Sequence, residues 1–213
     1  NYSWLDPRRS IHITGTSGYR ILSSPVSGNV YGDLLEELWT QGATGSDMPG
    51  ANPNIWTYNN GWNTVTDLEN DNLDLGQGFV IYVFSDTDYD GDDDLPVTIS
   101  VDGDNNESNI DIATNNSDWN LLGNPYGLAL DVESLLIDNP NFSSTVYVWD
   151  NEITGYKTHN GIVGDLDEGL ISPFSGFWIE ANQSGNSFSF NESSIENSYS
   201  DTTRNTSTPS DST

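Results

Sequence analysis

Ile171-Ser172-Pro173-Phe174-Ser175-Gly176-Phe177-Trp178-Ile179-Glu180-Ala181 decides how this chain is read, because Leu73-Asp74-Leu75-Gly76-Gln77-Gly78-Phe79-Val80-Ile81-Tyr82-Val83 repeats its plan. Gly78 matches Gly176 and Phe79 matches Phe177. Each copy reads as a turn feeding a mostly buried strand: Pro or Gly breaks the preceding segment, Gly permits a tight bend, and the aromatic and β-branched run favours a pleated surface. Two related β units are therefore expected.

The repetition extends outward. Gly18-Tyr19-Arg20-Ile21-Leu22-Ser23-Ser24-Pro25-Val26 is matched one hundred residues later by Asp118-Trp119-Asn120-Leu121-Leu122-Gly123-Asn124-Pro125-Tyr126. In both, a strand runs into a proline turn that cannot continue a central ladder. Short helical candidates follow at Tyr31 to Trp39 and Asp131 to Leu136, with Asp33 and Asp131 as expected N-caps. A third shared element pairs Ile55-Trp56-Thr57-Tyr58-Asn59 with Val146-Tyr147-Val148-Trp149-Asp150, and Gly61-Trp62 with Gly155-Tyr156, a hairpin pattern in each case.

The expected fold class is mainly all-β: two tandem, related β-sandwich-like lobes with short helical turns, arising from an internal duplication. Residues 1–17 form an N-terminal strand or arm in which Ile11 and Ile13 alternate with polar neighbours. Residues 18–101 form the first lobe, 102–117 an acidic and polar linker, 118–191 the second lobe, and 192–213 a Ser/Thr/Asn-rich tail.

Charge narrows the partners. The 213 residues hold 33 Asp and Glu against 5 Lys and Arg, a net charge of −28. Most carboxylates must be solvated, bind cations or repel one another, so nucleic acid and anionic membrane surfaces are excluded as partners. No cysteine is present, so disulfides and thiolate metal sites play no part. No apolar run is long enough to insert into a bilayer. The chain begins at Asn1 without a signal peptide, which is expected of a processed protein or of a piece of a longer one.

Three groups of residues are candidate sites. Asp86, Asp88, Asp90 and Asp92, with Gly91 between them, space oxygens as in the first half of a calcium loop, so calcium is the candidate cofactor. The second half of that pattern fails: Val97 stands where a bidentate Glu is needed. Trp56, Tyr58, Trp62, Trp149 and Tyr156 recur at equivalent places, either as core and cross-strand packing or as a platform on which sugar rings stack. Tyr2, Trp4, Ile11 and Ile13 at one end, and Ile195 and Tyr199 at the other, are the candidate subunit contacts. The polar tail holds few apolar residues apart from Ile195 and Tyr199 and would find backbone partners on the sheet edge of a second copy.

The Gly18–Val26, Trp119–Tyr126 and Ile171–Ile179 motifs together resemble duplicated β-rich segments of secreted and cell-surface proteins of Bacteroidota, many exported by the type IX system. The resemblance covers about residues 18–190. It implies an extracellular β-sandwich-like module, usually part of a longer polypeptide, and carries over no catalytic motif. The β-rich sorting domain typical of that route is not found here.

An enzyme is not expected: His12 and His159 lie far apart, and no nucleophile elbow, zinc motif or phosphate loop occurs. The leading expectation is an extracellular structural or adhesive protein that assembles with copies of itself into a filament or array through its termini and sheet edges. The alternative is a carbohydrate-binding module whose aromatic residues lie on one open face.

Overall fold

A computed structural model describes residues 8–115, 118–182 and 187–196. The first half runs β1 (Arg8–Ile13), β2 (Gly18–Leu22), β3 (Asn29–Val30), α1 (Tyr31–Leu35), β4 (Ile55–Tyr58), β5 (Trp62–Thr64), β6 (Asn72–Leu73), β7 (Phe79–Val83) and β8 (Val97–Asp102). The second runs β9 (Ile110–Ala113), β10 (Trp119–Gly123), β11 (Leu130–Asp131), α2 (Val132–Asp138), β12 (Val146–Asp150), β13 (Gly155–His159), β14 (Leu170–Ile171), β15 (Gly176–Glu180) and β16 (Ser187–Phe190). The class is all-β, with two short helices.

Each half holds a four-stranded antiparallel sheet, in the order β2-β7-β4-β5 or β10-β15-β12-β13. Each adds two strand pairs, β3-β6 and β1-β8 in the first half, β11-β14 and β16-β9 in the second. Strand order is thus the same in both halves, element for element.

Side-chain alternation explains why the central strands read as continuous apolar runs. In β7, Phe79, Ile81 and Val83 point into a core shared with Ile13, Ile99 and Val101 of the β1-β8 pair and with Leu34 and Leu35 of α1. In β15, Phe177 and Ile179 do the same against Phe188 and Phe190 of β16, with Val132 and Leu135 of α2 beside them. The residues between them, Val80 and Trp178, face the other way into a third cluster, where the two halves meet.

Several expectations change. Ile110–Ala113, inside the stretch read as a linker, forms β9, because Ile110 and Ile112 pack onto the second core and the strand pairs with β16. Asp33 does not precede α1. It sits in its first turn, where its carboxylate accepts from the Val30 N–H at 2.8 Å, whereas Asp131 caps α2 by accepting from Ser134 N at 2.8 Å. Ile13 is only 4 % exposed and Ile11 packs against the same core, so both serve their own half. Ile195 likewise lies against the second core and bridges Leu130. Tyr2, Trp4 and Tyr199 lie outside the described residues.

Candidate functional site: an aromatic groove between two sheets

The outer faces of the two four-stranded sheets dock through their backbones. Gly123 N donates to the Gly76 carbonyl at 2.9 Å, and Ser23 N donates to that of Phe174 at 2.9 Å. Gly76 and Phe174 are equivalent positions, so the contact is reciprocal. The repeated glycines make this approach feasible. A methyl group on Gly78 would fall 2.5 Å from the Leu122 carbonyl oxygen, and one on Gly176 would fall 2.6 Å from Ile21 Cγ2. Neither glycine has a positive φ. The turn lies two residues earlier, at Gly76 with φ of 76° and at Phe174 with φ of 62°; Gly78 and Gly176 are small because the other half lies against them.

Beside this seam runs a groove lined with rings. One cleft, of about 510 Å³, has Tyr19, Trp56 and Val80 of the first sheet on one side and Trp149 and Tyr156 of the second half on the other. A second, of about 420 Å³, inverts the arrangement: Trp119, Tyr147 and Trp178 come from the second sheet, and Tyr58 and Trp62 from the first half. Trp62 and Tyr156 line both clefts. A third cleft of about 320 Å³ adjoins at Tyr58 and is largely polar, with Asn59, Asp74 and Gln77 from the first half and Asp111 and Asn115 from the second.

All five aromatic residues singled out from the sequence therefore come together here. None is fully buried; Trp62 is 57 % exposed and Tyr156 46 %. They are not coplanar. Tyr58 and Trp62 meet edge to face at 5.4 Å and 78°, and their counterparts Trp149 and Tyr156 at 5.1 Å and 75°. Cross-strand pairing and exposure coexist, because each hairpin buries one edge of the ring pair and leaves the other in the groove. Sequence reading missed Tyr19, Trp119, Tyr147 and Trp178 as members of the site. Alternation was the available signal, since each lies on the strand face opposite its own core.

The groove walls are held firmly. Trp149 Nε1 donates to the Tyr19 carbonyl at 2.8 Å, tying the second hairpin to the first sheet. Lys157 and Asp150 form an ion pair at 2.6 Å across that hairpin, and the hydrogen bond from Lys157 holds the Asp150 carboxyl below the usual carboxylate range. Burial pushes the Tyr156 hydroxyl up, so it stays protonated, opposed by the nearby Trp178 indole. Trp178 Nε1 itself is buried without a hydrogen-bond partner of good geometry.

The acidic loop is organised differently from its sequence pattern. Asp86, Asp88 and Asp94 bring carboxylate oxygens within 4.8 Å of one another, while Asp90 and Asp92 stand outside that group. Asp94 joins because Thr87 donates to it from both N, at 2.8 Å, and Oγ1, which also lowers its pKa. Three oxygens would be fewer than the roughly six to eight a calcium ion takes. His12 Nδ1 contacts Thr98 Oγ1 at 2.8 Å in the first half, and His159 Nδ1 accepts from Gly161 N at 3.0 Å in the second. Neither lines the groove. A larger hollow of about 640 Å³ beside Arg9, Asn105 and Glu192 has mixed walls and no stacked rings.

Fold and groove together define an all-β protein of two topologically matched halves with an aromatic seam between them. No protein-family model, curated protein or solved structure matches the chain.

Proposed function

We propose that the protein is a non-catalytic binding module for uncharged glycans, working outside the cell as the Bacteroidota-like motifs imply. The observation that carries this reading is the exposure of Trp62 and Tyr156, two large rings that line both clefts of the groove. Pyranose rings present apolar C–H faces that pack on aromatic surface, while their hydroxyls need donors and acceptors at the rim; Asn59 and Gln77 supply these. The net charge of −28 argues against acidic polysaccharides and nucleic acid, whose bases would otherwise suit stacked rings.

Titration of the intrinsic tryptophan fluorescence with neutral hexasaccharides tests this. Saturable binding that Trp62→Ala and Tyr156→Ala each weaken at least about tenfold supports it. No response in the wild-type protein, or unchanged binding in both variants, overturns it.

Self-assembly into a surface filament is the second reading. Its support is the exposure of Ile153, Ile162 and Val163, at 60 %, 83 % and 66 %, in the turn and loop on either side of β13. Electron microscopy with and without a calcium chelator tests it, and dispersed monomers under both conditions would remove it.

A further inference from the structure

Resting on the glycan reading, we infer that the groove takes an extended chain of several sugar units, which starts over Val80 and runs past Tyr58 into the polar cleft. Contiguity is the first ground. The 510 Å³ and 420 Å³ clefts share Trp62 and Tyr156, and the 420 Å³ and 320 Å³ clefts share Tyr58, so the three form one line. One such cleft is within the size of a small-molecule pocket; three in line suit a polymer.

Chemistry changes along that line in the way a chain of hydroxylated rings requires. The Val80 end offers ring faces and little else. At the far end, the side chains of Asn59 and Gln77 from the first half oppose Asp111 from the second, giving donors and acceptors on one wall and a carboxylate acceptor on the other. Asp74 and Asp111 there disfavour a carboxylated or sulfated chain.

The line also has a direction. Past Tyr58 the first hairpin leaves the polar cleft open. The equivalent hairpin of the second half is tied to the first half instead, Asn151 Nδ2 donating to the Thr16 carbonyl at 3.3 Å; within the first half, Arg20 braces that same loop by donating to the Thr14 and Thr16 carbonyls at 2.7 and 3.0 Å. With Trp149 bound to Tyr19 beside them, that end forms a wall. A polymer is thus held at one end and leaves by the other.

The test is calorimetric titration of the full chain with a length series, from monosaccharide to hexasaccharide, drawn from cellulose, xylan, mannan and β-1,3-glucan, with a proline decapeptide as the competing ligand type. Affinity should rise at least about tenfold between disaccharide and hexasaccharide. The Asn59→Ala, Gln77→Ala double variant, checked for folding by its melting temperature, should lower hexasaccharide affinity at least about tenfold more than it lowers disaccharide affinity. Affinity independent of length, or a double variant that binds hexasaccharide like wild type, overturns the extended-chain inference and leaves the glycan reading standing. Binding of the decapeptide alone, or of no ligand in the series, overturns both.

Discussion

Val80 and Trp178 occupy the same place in two equivalent strands, Val80 paired with Trp56 and Trp178 with Tyr147. Trp178 packs its ring against Tyr58 at 5.0 Å and Trp62 at 5.7 Å across the seam. Val80 has no ring to offer Trp149 and Tyr156, and the larger aromatic cleft lies over it. Two matched walls therefore enclose unequal spaces.

Val80→Trp should fill the open cleft and lower glycan affinity at least about tenfold. Because Trp178 already fills the equivalent place in the same cluster, the melting temperature should hold or rise. Calorimetry with the tightest hexasaccharide, alongside a thermal melt, separates a filled site from a misfolded one. Undiminished binding would place the ligand elsewhere.

Gly123→Ala should loosen the docking of the halves. The added methyl would lie 2.7 Å from the Gln77 carbonyl oxygen and meet Ser23 Cβ more closely still. Overpacking of this kind costs about 1–3 kcal/mol, to be read from urea denaturation. Gly28→Ala is not a fair control despite its empty surroundings, because φ there is +83°; Gly50→Ala, with open space and no positive φ, should be close to neutral.

Phe174 belongs by sequence to the second half but packs in the core of the first, 2 % exposed and with φ of 62°. A bulky residue in that backbone region persists only where its surroundings hold it. Phe174→Ala should cost about 3–5 kcal/mol, and the loss should fall on both halves at once. Coincident unfolding by near- and far-ultraviolet dichroism would bear this out; separate transitions would show that the halves melt independently.

Alkaline pH should weaken the fold through Tyr126. Burial, then the nearby charge of Glu192, pushes its hydroxyl up to about 12. That hydroxyl donates to the Phe190 carbonyl at 3.0 Å and the Ser108 carbonyl at 3.2 Å. Since the unfolded tyrosine ionises near 10, its contribution is complete below that pH and disappears as pH climbs towards 12. Tyr31 is shifted the same way, mainly by burial. Tyr126→Phe should be about 1 kcal/mol less stable at neutral pH and lose less on going to alkali. Denaturant titrations across the pH range provide the check.

The sequence carried the strands and hairpins because their signals are local. Phe79 to Val83 and Phe177 to Ala181 look like buried strands at any distance from a partner, and the hairpin aromatics announced themselves by recurring. What was hidden depends on residues a hundred positions away. A glycine ahead of a strand reads as a bend, and only the Leu122 carbonyl pressed against Gly78 reveals its purpose. β9 escaped notice because two isoleucines in a polar stretch say little until Phe188 and Phe190 lie across from them. Asp94 was passed over for Asp90 and Asp92 because spacing cannot show that Thr87 folds the loop back onto it.

The seam built on Gly78, Gly123 and Gly176 uses the same patch on both halves, as the interface of a twofold homodimer does. A half made alone would expose that patch and should pair with its own copy. In such a pair every substitution appears twice, so both clefts would be open or both filled. Joining the halves in one polypeptide removes this constraint: valine can stand on one side and tryptophan on the other, giving a symmetric frame an inside with two different ends.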